Sequence, residues 1–127
     1  MPIVHLDQIA RGDHLQYVPT RQGHIRGFEL VPGVRLIETS GHAPGHQSVL
    51  VQLPRSGPVL LAIDAVVMKR LFTTDRKAWP IDDNEEELRA STQKLLDVVQ
   101  LEKVPLTVFG HDGAQWKTLT KAPHYYD

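Results

Sequence analysis

The run Val59-Leu60-Leu61-Ala62-Ile63 constrains the fold more than any other stretch of this chain. Five consecutive apolar residues have no face to give to water, so a strand built from them must be covered on both sides. Gln47 to Leu53 and the turn residues Pro54-Arg55-Ser56-Gly57 precede it, and together they read as a hairpin with this run as its buried second strand. The run ends at Asp64. Two other expected strands also end in polar side chains. Val34 to Thr39 leads into Gly41-His42-Ala43-Pro44-Gly45-His46, and Leu106 to Phe109 leads into Gly110-His111-Asp112. Three strand ends carrying His, Asp and His suggest a shared site along one rim of a sheet, where α/β proteins tend to place their chemistry.

The remaining elements fall around this frame. Pro2 to Leu6 is a short extended candidate, and the polar stretch from there to Gly27, broken by Gly12, Pro19 and Gly23, is read as mostly loop. Phe28-Glu29-Leu30 and Val34 to Thr39 flank the turn signal Pro32-Gly33. The segment 66–80 reads as a covering loop with one helical turn. Asp83 to Lys103 is the principal helix, with Asp83 as a cap paired to Glu86 and an apolar stripe of Leu88, Thr92, Leu95, Leu96 and Val99. Pro105 stops it, and Gln115 to Lys121 is read as a last helix. The expected architecture is a single α/β domain over 1–127, with helices flanking a small mixed β-sheet.

Composition narrows the partners. Lys and Arg number 14 against 15 Asp and Glu, for a net charge of -1, with no basic run, so the footprint of a nucleic-acid binder is missing. No apolar run reaches the roughly 20 residues that span a bilayer, and no secretory signal pattern is present, so a cytoplasmic protein that does not bind membranes is expected. With no cysteine and 7 histidines, any transition metal must be held by imidazole and carboxylate. Such ligands sit about 2.0 to 2.2 Å from the ion and must converge from anchored positions. His42, Asp64 and His111 meet that description, although histidines in glycine turns also serve simply as turn caps.

Taken together, Thr39 to Ser48, Ile63-Asp64-Ala65 and Val108 to Asp112 resemble successive motifs of the metallo-β-lactamase superfamily, most closely the C-terminal half of its N-acyl homoserine lactone lactonase branch. The likeness extends to Glu29 to Val34, to the helix around Glu87 to Leu96 with its Ser91, and to the ending Ala122 to Asp127. It implies a partial αββα fold and lactone ring opening by metal-bound hydroxide. It also implies a zinc-type site of two divalent metals: His42 binding one, His111 the other, and Asp64 bridging both as the catalytic carboxylate. His46 would then support the loop. Asp112 would either orient His111 or cap the last helix. Met68, Leu71, Phe72 and Trp79 would line an acyl-chain pocket or fill ordinary core.

Two departures accompany the match. The family's H-x-H-x-D-H motif, which supplies two ligands to each metal, is not in this sequence, and His5-Leu6-Asp7 is a poor imitation of it. The lactonases place a tyrosine three residues after the bridging aspartate, where it contacts the substrate carbonyl, and this chain has Val67. A truncated domain is therefore expected, inactive or weakly active by itself. Its small-molecule lactone or ester site would be completed by a homo-oligomer or by a partner supplying the missing half. The alternative is a catalytically inactive remnant with a structural or oligomerising role. The acidic cluster from Asp82 to Glu87 reads as a solvated helix start.

Overall fold

The structure is a computed structural model and describes residues 16–20 and 23–127. A six-stranded sheet runs in the order β1 (Gln16–Thr20), β2 (Gly23–Val31), β3 (Val34–Glu38), β4 (Gln47–Leu53), β5 (Gly57–Ile63) and β6 (Leu106–Phe109). The first five strands form an antiparallel meander. β6 pairs parallel to β5, and a parallel neighbour cannot be reached by a tight turn. The helix α1 (Glu85–Leu101) lies in this crossover, and the short helix α2 (Gly113–Thr118) follows β6. The mixed sheet with helices is the expected fold class.

β1 and the first half of β2 correct the sequence reading, which placed loop there. Gln16 pairs with Gly27 and Thr20 with Gly23, so this polar, glycine-containing stretch is extended through cross-strand pairing rather than through its own apolar pattern. The Pro2 to Leu6 candidate and His5-Leu6-Asp7 lie outside the described residues.

The core lies between the sheet and α1. Side chains alternate along a strand, so Ile37, Leu50, Leu60 and Ala62 share one face, and all are buried. Leu88, Thr92, Leu95 and Val98 are the buried apolar side of α1, and Leu95 and Val98 join the cluster on that face. Ser91 and Val98 replace Leu96 and Val99 on the deepest stripe, and the latter two are half-buried at its margin. The cap is Asn84 rather than Asp83, its side chain accepting from Glu87 N at 3.0 Å. α2 is likewise shifted from Gln115–Lys121, because Asp112 caps it by accepting from Gln115 N at 3.0 Å. The segment 66–80 contributes a single 3-10 turn, Lys69–Leu71, and Phe72 from this loop meets Phe109 edge-to-face at 5.5 Å. On the sheet face away from α1, Phe28, Leu36, Val49, Leu61 and Val108 form one cross-strand row, each half-buried. Among the described residues, no helix is long and apolar enough to cross a membrane.

Glu38 joins the end of β3 to α1. Its carboxylate accepts from Ser40 N at 2.8 Å and from Lys94 Nζ at 2.9 Å. Burial by itself would raise its pKa, but the bonds from Ser40 and Lys94 together outweigh burial and bring it from 4.5 down to about 2. The folded chain therefore takes up this proton later than the unfolded chain as pH falls. The stability Glu38 contributes is complete above about pH 5 and is lost as pH drops toward 2. Urea titrations across that range should show a steeper acid loss of stability for the wild type than for Glu38→Gln, which should be less stable at neutral pH and flatter in acid.

Candidate active site at the sheet rim

Two glycines allow the site to assemble. Gly41 holds φ +132°, and a Cβ there would lie 2.3 Å from Leu88 N, so the loop backbone rests directly on the first turns of α1. Asn84 N donates to Gly41 O at 2.8 Å, Asp83 N to His42 O at 3.2 Å and Ser91 Oγ to Ser40 O at 2.6 Å. At the second position, a Cβ on Gly110 would meet Ile63 O at 2.4 Å, so β6 passes the end of β5 at backbone contact. Ile63 itself holds φ 56°, a left-handed conformation rare for a β-branched residue, at the irregularity where the β5/β6 register shifts. The next residue is Asp64.

These contacts bring His42, Asp64 and His111 together. His111 Nε2 donates to Asp64 Oδ1 at 3.0 Å, and His42 Nε2 lies 3.7 Å from Asp64 Oδ2, so each carboxylate oxygen faces one imidazole. His42 Nδ1 is 2.9 Å from Asp82 Oδ1. A carboxylate accepts, so Nδ1 carries the proton and Nε2 presents its lone pair toward Asp64. Two acceptors 3.7 Å apart are not hydrogen-bonded to each other; the arrangement suits a cation placed between them.

His46 takes a different position. Its Nδ1 is 2.9 Å from Thr39 Oγ1, which contacts Ser48 Oγ at 2.9 Å, and Ser48 Oγ donates to Ala62 O at 3.0 Å. Its Nε2 accepts from Asp64 N at 3.2 Å. Burial lowers the His46 pKa and favours the neutral ring that this acceptor role requires. Both nitrogens are thus engaged in holding the loop and the Asp64 backbone. Asp112 does not touch His111 in the hydrogen-bond pattern; it caps α2 and accepts from Lys69 N at 2.9 Å, which holds its pKa low.

A cavity of about 310 Å³ opens over these groups, with Val67, Trp79 and Ile81 as its apolar wall. Asp82 corrects the sequence reading of a solvated acidic cluster. Its side chain is 4% exposed, its Oδ1 holds His42, and its Oδ2 accepts from Trp79 N at 2.7 Å. Nothing local to the sequence marks it, since its partner lies 40 residues away. Arg76, also missed, is 2% exposed and lines the same cavity. Its Nη1 donates to Lys77 O at 3.2 Å, and its buried Nε has no partner among the described residues.

No family model matches the chain. An N-acyl homoserine lactonase of a Bacillus species is 42% identical over 98 residues, covering 77% of this chain and 38% of the relative. The chain is a partial homologue of the N-acyl homoserine lactonases. It corresponds to the C-terminal part of them, as the resemblance to the metallo-β-lactamase superfamily leads one to expect. The lactonase AttM of Rhizobium johnstonii is 44% identical over 92 residues, 71% of this chain and 34% of its own length. The chain thus spans about a third of the length of the curated lactonases it matches. Among solved structures, an N-acyl homoserine lactone hydrolase with the product N-hexanoyl-L-homoserine bound at its catalytic metal centre superposes with a TM-score of 0.72 at 40% identity, covering 79% of this chain and 39% of that one. A probable metal-dependent hydrolase from Staphylococcus aureus, at 18% identity and TM-score 0.56, shares the fold.

The backbone approach at Gly41 sets the position of His42, and it leaves no room for a side chain. Gly41→Ala combines a left-handed backbone with contact inside 3 Å, and it should cost on the order of 2 to 4 kcal/mol in chemical denaturation. The same change at Gly45, where a Cβ would meet nothing within 4 Å, should cost less, leaving only the backbone penalty at its φ of +72°.

Proposed function

We propose that this chain forms one wall of a metal-dependent lactonase site, with His42 and His111 as ligands to separate divalent ions and Asp64 as the shared, catalytic carboxylate. The observation carrying the reading is the Asp64 carboxylate set between two imidazole Nε2 atoms, one on each oxygen. The donor chemistry fits zinc, which accepts imidazole and carboxylate together. The count is short: among the described residues, no cluster of three or more His, Asp and Glu side chains is arranged to hold an ion. One histidine and a shared carboxylate per ion fall below the three protein ligands of a catalytic zinc site. The remaining ligands would come from outside the described residues: a second copy, another polypeptide, or sequence upstream of the matched segment. The half-buried row from Phe28 to Val108 supports this, since an apolar sheet face favours being covered.

Divalent ions held at this rim would polarise a carbonyl oxygen and offset the charge that develops on it. The chain's own residues prepare the place. Asp82 fixes the His42 proton on Nδ1, and His46 holds the backbone of Asp64 through its amide. Val67, Trp79 and Ile81 offer an apolar wall for an acyl chain, so the substrate class we propose is an N-acylated lactone or related ester. Val67 gives no hydroxyl where the lactonases have a tyrosine, so its place in the wall is apolar.

Metal analysis of protein purified without chelator, paired with lactone hydrolysis with and without added zinc or manganese, tests this reading. Asp64→Ala and His42→Ala should each lower bound metal at least about tenfold, as loss of a ligand does, and should abolish any turnover the wild type shows. Unchanged metal content and turnover in Asp64→Ala would overturn the assignment.

A further inference from the structure

Ile63 holds its left-handed backbone at the end of β5, beyond the last residue paired with β4 and at the shift in the β5/β6 register. The peptide groups on either side of it are joined by one line of side chains. The Asp64 N–H donates to His46 Nε2 at 3.2 Å, so the neutral ring keeps its single proton on Nδ1 and donates it to Thr39 Oγ1 at 2.9 Å. At the other end, Ser48 Oγ donates to Ala62 O at 3.0 Å, which uses the Ser48 proton and leaves its oxygen to accept from Thr39 Oγ1 at 2.9 Å. The direction is therefore fixed throughout. It begins at an amide, which can only donate, and ends at a carbonyl, which can only accept, and each of the three side chains between them accepts once and donates once. Ala62 O also accepts from Ala65 N at 3.2 Å, which closes the turn behind the bend. Thr39 and Ser48 are fully buried, so their hydroxyls are shielded from solvent and a partner lost there is costly.

We infer that Thr39 and Ser48 are positioning residues for Asp64, their hydroxyls acting through His46 to hold the bend at Ile63 that turns the Asp64 carboxylate between His42 and His111. The inference rests on the reading of Asp64 as the shared carboxylate and deepens it by naming the side chains that aim it. A β-branched residue stays left-handed only where its surroundings over-determine it. Thr39 directly follows β3 and Ser48 lies in β4, so the line ties residues 62 and 64 to the two strands beside β5 in the sheet. Its bonds also depend on one another, because only one direction is permitted. Loss of the Thr39 hydroxyl removes the acceptor of His46 Nδ1–H and frees the ring to place its proton on Nε2. The acceptor of the Asp64 amide then becomes a competing donor. A hydroxyl two hydrogen bonds away thereby controls the Asp64 backbone.

The test compares the full chain with Thr39→Val, which keeps the shape of the side chain and removes the hydroxyl, and with Thr39→Ser, which keeps the hydroxyl. Amide hydrogen exchange read by NMR should show the Asp64 amide about tenfold less protected in Thr39→Val, relative to the other protected amides of β5, as expected when a buried donor loses its acceptor. Thr39→Ser should restore most of that protection, and Ser48→Ala should reproduce part of the loss. In proton–nitrogen spectra of the rings at about pH 8, where imidazole is neutral, His46 should carry its proton on Nδ1 in the wild type and in Thr39→Ser, and shift it toward Nε2 in Thr39→Val. A threonine that merely packs would leave Asp64 unchanged or lower protection uniformly along β5, and either result would overturn the proposal. So would an unaltered His46 proton in Thr39→Val, or a Thr39→Ser no better protected than Thr39→Val. If circular dichroism shows Thr39→Val to be unfolded, Ser48→Ala and the wild-type ring spectrum decide, and a wild-type His46 protonated on Nε2 contradicts the line as drawn. Failure of the lactonase reading would appear as a wild-type chain without bound metal whose Asp64 amide is still protected through Thr39. Failure of this inference would appear as an Asp64 amide indifferent to Thr39, whatever the metal content.

Discussion

The loop bearing His42 is held against α1 by a backbone contact that admits no side chain. With a Cβ at Gly41 only 2.3 Å from Leu88 N, the helix and the loop share one surface, and the bonds from Asn84 N, Asp83 N and Ser91 Oγ to the carbonyls of residues 40–42 complete it. Asn84 N is one of the amides at the helix start that lack partners within the helix, while Asp83 N lies just ahead of the cap and Ser91 Oγ in the second turn. The loop carbonyls occupy part of that need. The helix in turn is fixed by Leu95 and Val98 against the sheet, so burial of the core also sets where His42 stands.

Asp64 reaches the same place by a different route. Val59, Leu60 and Ala62 of β5 are buried while Ile63 at its end is exposed, and the parallel neighbour β6 passes so near that end that Gly110 is required opposite Ile63 O. Ile63 takes a left-handed conformation at this junction, and a β-branched residue there costs on the order of 1 to 3 kcal/mol. Core packing offsets that strain. Its consequence is that Asp64 leaves the strand direction and stands between the histidines of two separate loops. His46 receives the Asp64 amide, which leaves the carboxylate of Asp64 free to face His42 and His111.

Much of this was legible in the sequence because the relevant signals are local. The run Val59 to Ile63, the glycine-flanked histidines and the periodic stripe around Leu88 and Leu95 each state their own structure. What escaped depends on partners far along the chain. β1 and the start of β2 are strands through their pairing with one another, which a polar, glycine-broken stretch does not announce. Asp82 resembled its solvated neighbours Asp83 to Glu87 until the fold placed it under His42. Arg76 sits in a segment whose basic and apolar residues follow no period, so its burial follows from the loop's path over the core and not from any pattern. The helix boundaries moved by two or three residues: Asn84 rather than Asp83 reaches the first free amide of α1, while α2, capped by Asp112 as one of the two expected readings had it, runs from Gly113 to Thr118.

The functional account therefore turns on how His42 is held. Asp82 on Nδ1 directs the Nε2 lone pair toward the Asp64 carboxylate, and that pairing of acceptors suits a site for a cation rather than an ion pair between side chains. The tautomer can be read directly by long-range proton–nitrogen NMR of the histidine rings at a pH of about 8, above the ordinary range of imidazole titration. The account predicts that His42 carries its proton on Nδ1 and that Nε2 is bare, and that Asp82→Asn alters this preference. A proton found on Nε2 in the wild-type chain would mean that His42 donates to Asp64, and it would contradict the account.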